Sequence, residues 1–323
     1  MDTKLLINEA KQAVSAASYS PKKLTALHAG ISAAVGLLVA LLTYLLGSGV
    51  GNPTGLGGIG TQAALETAQT ILQLALSILT PFWSLGFVAA AMHLARRQQA
   101  NPHTLLSGFH RWGPALRMLI LEGVIYFAIT FASVQVGTFL YMMTPFADTL
   151  NGLIQQLADA GTTDTAALTQ LLENLEPSRL MGIFWTMVPF IAIPALATII
   201  PVSYRMRLAQ FILMDEPRVG ALFAILLSSR LMKKNCAKLF LLDLRFWWFY
   251  GLEIVVQLLC YADLLLPLVG VQLGMNGVLA SFLFYALALV CQVGLYAWKK
   301  PEVFTSYSLF YDDLLAKAQP AAM

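Results

Sequence analysis

Several ionisable side chains interrupt an otherwise apolar segment, SSRLMKKNCAKLFLLDLRFWWFYGLEIVV, which covers residues 228–256. They are Asp243, Arg245 and Glu253, and a further carboxylate, Glu122, lies within another apolar run. A charge inside a bilayer is costly, so such groups usually face the interior of a helix bundle or an aqueous cavity and mark a candidate functional site. The chemistry open to carboxylates there is proton or ion relay, and the alternative is a structural hydrogen bond.

The depth of these groups follows from their distance along an ideal helix. Asp243 lies about 7 Å and Arg245 about 10 Å beyond Lys238, whereas Glu253 lies about 22 Å beyond it. Asp243 and Arg245 are two residues apart, so they point to different sides of the helix and cannot pair with each other. Glu122 has a similar depth in another span, so we expect Arg245 either to approach Glu122 or to extend to the lipid headgroups. We expect Glu253 to be protonated or hydrogen-bonded inside the bundle.

The composition is that of a membrane protein. Of 323 residues, 58% are hydrophobic and 11% are charged, whereas about a quarter of a soluble domain is charged. A membrane helix needs about twenty predominantly apolar residues. The sequence therefore predicts an all-α polytopic bundle of six transmembrane helices within residues 24–315. The expected spans are about 24–46, 71–95, 116–143, 180–202, 239–261 and 277–298.

The distribution of Lys and Arg predicts the orientation. Basic clusters precede the first span, separate the second from the third and the fourth from the fifth, and follow the sixth, whereas the alternate loops contain only Arg179. Cytoplasmic loops carry this excess. Both termini are therefore expected in the cytoplasm. The first apolar run is too long for a signal peptide and is expected to remain as an anchor.

Amphipathic segments that end in basic residues precede the odd-numbered spans. They are expected to lie as interfacial helices on the anionic inner leaflet, which makes the lipid bilayer the expected partner. An extracellular helical hairpin at about 148–177 and a disordered C-terminal tail at 316–323 complete the predicted organisation. The amphipathic segments are 1–23, 103–117, 220–235 and, as a fourth example, SYSLFYDDLLAK at 306–317.

Patterns that could hold a cofactor or a metal do not meet the requirements for one. Gly55, Gly57 and Gly60 form a GxGxxG pattern, but it follows a membrane span rather than a strand, so a flexible linker is expected. The three cysteines and four histidines lack the spacing of metal sites. The net charge of +3 is too small to indicate nucleic-acid binding. We expect no cofactor, no metal and no nucleic acid.

Two further patterns have a structural and a functional interpretation. Ser32, Gly36 and Ala40 form a ladder of small residues that favours close helix packing within the bundle or, as a minority use, a homodimer. Prolines interrupt the fourth span, and they kink a helix either for packing or, as in transporters, around a substrate site. The structural interpretation is favoured for the prolines, which are Pro189, Pro194 and Pro201.

Three stretches, YRMRLAQFILMDEP, LLSSRLMKKNCAKLFLLDLRFWWF and KKPEVFTSYSLFYDDL, resemble the bacterial integral-membrane family catalogued as domain of unknown function 975. The resemblance implies a six-span protein of the bacterial plasma membrane with no established reaction. Arg245 and Cys236 depart from the family pattern, so Asp243 is a better candidate than Arg245 for a shared activity. The pattern falls on Tyr204, Arg205, Asp215, Pro217, Ser229, Leu231, Met232, Lys233, Asp243, Phe310, Tyr311 and Leu314.

These observations favour a non-enzymatic membrane scaffold or regulatory protein that interacts with lipid or with a membrane-protein partner. The alternative is a transporter or permease for a small solute or a lipid, which the proline-rich span and the buried carboxylates favour. An intramembrane enzyme is the third hypothesis, for which no catalytic nucleophile pattern is recognisable.

Overall fold

The computed structural model describes residues 3–47, 56–148, 150–152, 155, 177–262, 266 and 277–318. These residues form an all-α structure without strands, as the sequence predicts. A short 3-10 helix, Pro102–Leu106, lies between α3 and α4. The α-helices are α1 Thr3–Ala16, α2 Pro21–Gly47, α3 Leu56–Ala95, α4 Ser107–His110, α5 Trp112–Met142, α6 Pro177–Met206, α7 Ala209–Asp215, α8 Ala221–Met232, α9 Cys236–Arg245, α10 Trp247–Leu259 and α11 Gly277–Ala318. The extracellular hairpin expected at 148–177 lies almost entirely outside the described residues.

Within the described part of the chain, five helices are long and apolar enough to cross a membrane. These helices indicate a membrane protein, whereas the expected number of six spans is not confirmed. The candidate spans are Pro21–Leu41, Thr70–Ala95, Trp112–Met142, Trp185–Asp215 and Leu279–Ala318.

The stretch expected as a fifth span, 239–261, is not one helix. It is divided at Phe246 into α9 and α10, and the 13 residues of α10 measure about 20 Å, which is short of a bilayer core of about 30 Å. At this point backbone hydrogen bonds join residues three apart instead of the four apart of an α-helix. Phe246 N–H donates to Asp243 O, and Phe249 N–H donates to Phe246 O. The Phe246 side chain is buried, so tertiary packing, rather than Pro or Gly, sets the break.

The GLGGIG sequence was predicted as a flexible linker, and this is wrong for the residues that the structure describes. Helix α3 begins at Leu56, so Gly57 and Gly60 are helical, whereas Gly55 lies outside the described residues. Both helical glycines precede the candidate span Thr70–Ala95, so the helix extends beyond its membrane-spanning part.

The chain divides into two compact units, of which the first comprises 1–119 and 207–323 and the second 120–206. The C-terminal third of α11 lies at the centre of the first unit, where Val303, Tyr307 and Phe310 are almost fully buried. The prediction that 306–317 is an interfacial helix is therefore wrong, as is the expected disorder at 316–318, because α11 continues to Ala318. Its surface is covered by α1, α2 and α3, which leaves no broad face for lipid.

Helix α1 has the predicted amphipathic pattern but a different partner. Leu6, Ala10 and Ala13 form its buried stripe. The helix packs against α11, α3 and α9, so the stripe contacts protein rather than the membrane surface. The sequence periodicity indicates which side of α1 is apolar, but it does not indicate what covers that side.

Glycine permits an unusually close approach in two places of the first unit. A Cβ on Gly86 of α3 would lie 1.8 Å from the carbonyl oxygen of Leu105, and a Cβ on Gly108 of α4 would lie 2.0 Å from that of Phe82. The chain from the 3-10 helix to α4 is thus pressed backbone to backbone against α3. Gly36 of α2, the middle residue of the predicted small-residue ladder, faces Tyr285 and Leu289 of α11 and so serves packing within the unit.

In the second unit, α5 and α6 contact each other through small and polar residues. Ser133 and Thr198 are hydrogen-bonded at 2.9 Å. A Cβ on Gly137 would lie 2.5 Å from the carbonyl oxygen of Phe190, and this carbonyl lacks its usual helical partner because Pro194 has no N–H. The proline-containing segment of α6 therefore packs against glycine, which supports the structural interpretation of Pro194.

We expect Gly86→Ala and Gly108→Ala each to lower the free energy of unfolding by at least about 2 kcal/mol, because the new methyl group meets main-chain atoms that cannot rotate away. Gly113→Ala is the matched control, since nothing lies within 4 Å of its Cβ position. Alanine at position 113 stabilises the helix by up to about 1 kcal/mol relative to glycine. Thermal unfolding of the purified variants in detergent measures the difference, and equal midpoints for Gly86→Ala and Gly113→Ala would contradict the described packing.

Candidate functional site: tyrosine–carboxylate pairs along α11

The first pair joins α11 to α9. The hydroxyl of Tyr307 donates to Asp243 Oδ1 and is also hydrogen-bonded to the hydroxyl of Tyr250, at the start of α10. Arg207 donates from Nη2 to Tyr307 Oη at 3.4 Å, and its guanidinium carbon lies 5.0 Å from the centroid of the Tyr307 ring. The phenol oxygen of Tyr307 is therefore hydrogen-bonded to three side chains from three other parts of the first unit.

The direction of these hydrogen bonds follows from the chemistry of the phenol group. Tyr307 has one hydroxyl hydrogen, which it donates to Asp243, so the bond with Tyr250 must have Tyr250 as the donor. The donor order is thus Tyr250 to Tyr307 to Asp243. In this order Asp243 Oδ1 acts as an acceptor, and the guanidinium of Arg207 lies on the same phenol group.

The second pair joins α11 to α10. Tyr296 donates to Glu253 Oε1 at 2.5 Å and accepts a hydrogen bond from Gln292 Nε2 at 3.1 Å. Glu253 is therefore hydrogen-bonded inside the protein, which was one of the two states expected for it. Because the helix is divided at Phe246, the expected depth of about 22 Å from Lys238 along one unbroken helix does not apply; Glu253 lies about 9 Å from Trp247, where α10 begins.

Lys300 lies beside the second pair among aromatic rings. Its Nζ is 4.1 Å from the centroid of the Tyr296 ring and 5.3 and 5.6 Å from those of Phe87 and Phe304. Such cation–π contacts stabilise a partly desolvated ammonium group. Phe87 also packs against His28, whose ring is buried and makes no hydrogen bond to any residue that the structure describes.

The third pair joins α11 to α7 and includes an arginine. Tyr311 donates to Asp215 Oδ2 at 3.1 Å, and Arg96, just beyond α3, donates to Asp215 Oδ1 at 2.6 Å. Arg96 also donates to both carboxylate oxygens of Asp312, at 2.7 and 3.3 Å. These hydrogen bonds with Asp215 and Asp312 raise the pKa of Arg96 above its usual value. Arg111 donates to the carbonyl oxygens of Leu213 and Glu216 and so caps the C-terminus of α7.

A groove of about 360 Å³ lies on α10, next to the first two pairs. Tyr250, Glu253 and Gln257 provide its polar groups, and they follow one another at the spacing of one helix face. Ile254, Leu258 and Tyr261 complete the lining. The groove therefore combines a mostly apolar wall with a carboxylate, an amide and phenol groups, a composition that is typical of sites for small molecules.

Two of the predicted site residues belong to different units. Glu122 is half-buried on α5 in the second unit, and Arg245 is half-buried in the last turn of α9 in the first. The expected pairing between them therefore stays a prediction. Asp243 and Glu253, by contrast, belong to the same polar region on α9–α11.

Sequence reasoning identified the carboxylates of these pairs but missed most of their partners. Tyr296 and Tyr307 were not identified, because a tyrosine in an apolar run is uncharged and does not stand out. Arg207 was treated only as one of the basic residues of a cytoplasmic loop. The spacing of the tyrosines along the sequence could have indicated these partners. Tyr296 and Tyr307 are eleven residues apart, about three turns, and Tyr311 follows one turn later, so their side chains lie on neighbouring parts of one helix surface.

Residues 56–318 match the family described as Protein of unknown function (DUF975). The chain belongs to this family. The resemblance found in the three sequence stretches is thereby confirmed. No match was found among curated proteins or among solved structures.

The residues that carry the DUF975 pattern occupy both ends of the third pair. Asp215 ends α7, and Tyr311 is buried on α11 next to the buried Phe310 and Leu314. Tyr204 and Arg205 lie in the last turn of α6. The remaining positions lie on or beside α7 and α8, where Pro217 is exposed in the turn after α7, Ser229, Leu231 and Met232 lie on α8, and Lys233 follows α8.

We expect Arg96→Gln to lower the free energy of unfolding by about 2–3 kcal/mol, because it leaves Asp215 and Asp312 close together without their shared cation. Lys317→Gln is the control, since Lys317 pairs with Asp313 one turn away on an exposed surface, where the loss of an ion pair changes stability little. A double-mutant cycle of Arg96→Gln and Asp312→Asn, followed by thermal unfolding, measures the coupling. A coupling energy near zero would show that Arg96 does not stabilise the fold through Asp312.

Proposed function

We propose that the protein is a non-enzymatic scaffold or regulatory protein of the bacterial plasma membrane, with both termini in the cytoplasm, that organises anionic lipid at the inner leaflet. The proposal follows from the surface formed by α8, α9 and the turn between them, which we call the basic platform. Its exposed cations are Arg230, Lys233, Lys234 and Lys238.

The basic platform combines those cations with exposed apolar side chains. Leu222, Phe223 and Leu226 of α8 are each more than half exposed, as are Phe240 and Leu244 of α9. The opposite side of α8, with Ala224, Ile225 and Ser228, is buried in the protein. A helix that presents large apolar groups and cations together is suited to the headgroup region of an anionic bilayer, where the apolar groups enter the acyl boundary.

The arrangement of the internal polar groups supports a structural role for them. Asp243, Glu253 and Asp215 each accept a hydrogen bond from a tyrosine of α11. Each of these contacts joins α11 to a different helix, and therefore stabilises the packing of the elements that carry the basic platform. Buried carboxylates that are satisfied in this way are compatible with a protein that acts through its surface.

The test is retention of anionic lipid by the full-length protein. We expect the variant Arg230→Gln, Lys233→Gln, Lys234→Gln and Lys238→Gln to bind phosphatidylglycerol at least about tenfold more weakly, because each cation near an anionic surface contributes about 1 kcal/mol. Native mass spectrometry of protein released from mixed-lipid nanodiscs measures the bound lipid. The matched control replaces the three lysines by arginine and should retain it. Equal lipid retention by the glutamine variant would contradict the proposal.

A transporter or permease for a small solute or a lipid is the second candidate function, and the groove on α10 favours it. Glu253 and Gln257 line this groove beside apolar residues, so an amphiphilic solute would find both a hydrogen-bonding group and an apolar wall. The bound solute would lie next to the carboxylate of Glu253, which Tyr296 positions through a hydrogen bond.

Flux measurements in proteoliposomes separate the two functions. If the protein transports a solute through the groove, Glu253→Gln and Asp243→Asn should each reduce the flux of solute or of labelled lipid by about tenfold or more, because a buried carboxylate that binds substrate or protons cannot be replaced by an amide. Flux that neither substitution changes would exclude transport by these residues. The glutamine variant of the basic platform serves as the control and should leave such flux unchanged.

A further inference from the structure

The polar groups of the α10–α11 interface form two hydrogen-bonded chains. The first runs from Tyr250 through Tyr307 to Asp243, and the second from Gln292 through Tyr296 to Glu253. Tyr250 and Glu253 are the ends that approach each other, because they lie three residues apart on one face of α10.

The groove on α10 connects these ends. Both Tyr250 and Glu253 line it, and its volume of about 360 Å³ exceeds that needed by several water molecules, each of which occupies about 30 Å³ in the liquid. Water that enters the groove would carry a proton from the Tyr250 hydroxyl to the Glu253 carboxylate, the two polar groups that line the groove three residues apart.

Charged groups lie at both ends of the line. Arg207 faces the Tyr307 and Asp243 end. Lys300 of α11 faces the other end, where it lies over the Tyr296 ring and interacts electrostatically with Glu253. Each carboxylate thus has a cation nearby as well as a phenol donor, so that an ionised carboxylate at either end is not an isolated buried charge.

We propose that Asp243, Tyr307, Tyr250 and Glu253 form a proton-transfer line, in which Glu253 exchanges protons with the region of Asp243. This inference goes beyond lipid organisation and does not depend on it. Asp243 lies on α9, close to the basic platform, whereas Glu253 lies on the apolar helix α10. The line would therefore carry protons between the end of the bundle that bears the basic platform and a carboxylate in its apolar part.

The transfer conserves protons at every step. In the loaded state Asp243 is protonated and donates to Tyr307, Tyr307 donates to Tyr250, and Tyr250 donates to water in the groove. The proton of Asp243 then moves to Tyr307, that of Tyr307 to Tyr250, and that of Tyr250 through water to Glu253. Asp243 becomes a carboxylate and Glu253 a carboxylic acid, and both tyrosines remain neutral. The donor order after this transfer is Tyr250 to Tyr307 to Asp243, which is the order in the structure.

Infrared spectroscopy of the full-length protein in lipid vesicles tests the line after a rapid drop in pH. The C=O band of a protonated carboxylic acid reports Glu253, and its disappearance in Glu253→Gln assigns it. We expect this band to form at least about tenfold more slowly in Tyr307→Phe and in Tyr250→Phe, because positioned proton-transfer groups accelerate such steps by about a hundredfold or more. Its final intensity should be unchanged.

Tyr285→Phe is the matched control. Tyr285 lies on the same helix as Tyr296 and Tyr307, next to Gly36 of α2 and outside the groove lining, and among the residues that the structure describes its hydroxyl makes no hydrogen bond to either chain, so the band should form at the wild-type rate. Circular dichroism and thermal unfolding identify any variant that does not fold, and Tyr250→Phe and Tyr307→Phe provide independent tests. Band formation at the wild-type rate in both variants, or the absence of a carboxylic acid band that depends on Glu253, would overturn the proposal. Lipid retention is expected to stay unchanged in these variants, so the result is distinct from that of the basic platform.

Discussion

The structure of the first unit depends on one constraint, which is that a carboxylate within an apolar helix bundle must find a hydrogen-bond donor. Helix α11 provides these donors as the phenol groups of tyrosines on one side of the helix. Tyr296 donates to Glu253, and Tyr307 donates to Asp243. An unsatisfied buried carboxylate costs several kcal/mol, so each contact disfavours any arrangement in which α11 turns or slides. This explains why the part of α11 beyond the apolar span is the centre of the unit.

A phenol is better suited to this role than a lysine or an arginine. A salt bridge removes two charges from water, and the attraction between them often fails to compensate for that cost. A neutral tyrosine satisfies a carboxylate without desolvating a further charge, and Arg207 and Lys300 lie near the first two pairs in addition. The third pair has a different environment, because Asp215 lies at the end of α7, where Arg96 retains some exposure to solvent. There a cation can bridge two carboxylates, and Arg96 does so.

The sequence predicted the class of the fold and the positions of most membrane helices, because hydropathy over twenty residues reports burial in lipid directly. It did not predict the break at Phe246. That residue is neither Pro nor Gly, and the break depends on contacts with distant parts of the chain. The wrong prediction for the C-terminal segment at 306–317 has the same cause. Its amphipathic pattern was recognised, but its apolar face was expected to contact lipid rather than protein. Periodicity identifies an apolar face, and only the tertiary structure identifies what covers it.

The candidate site could be predicted in part for the same physical reason. Charges stand out in an apolar sequence, so Asp243 and Glu253 were identified, whereas their tyrosine donors have ordinary aromatic character in such a sequence. The family pattern adds information that charge alone does not, since Asp215 and Tyr311 are far apart in the chain and are hydrogen-bonded in the structure.

The distinction between a structural and a functional carboxylate then depends on what lies beyond its donor. Asp215 accepts hydrogen bonds from Tyr311 and Arg96, and Arg96 also binds Asp312, so these contacts form a closed cluster of two carboxylates around one cation. Asp243 differs, because its donor Tyr307 is itself linked to Tyr250, and Tyr250 borders a groove that also reaches Glu253. A closed set of hydrogen bonds can only stabilise, whereas an open chain of hydroxyl groups between two carboxylates can also move a proton. The connection through Tyr250 is therefore the reason why we propose a role beyond packing for Asp243 and Glu253 rather than for Asp215.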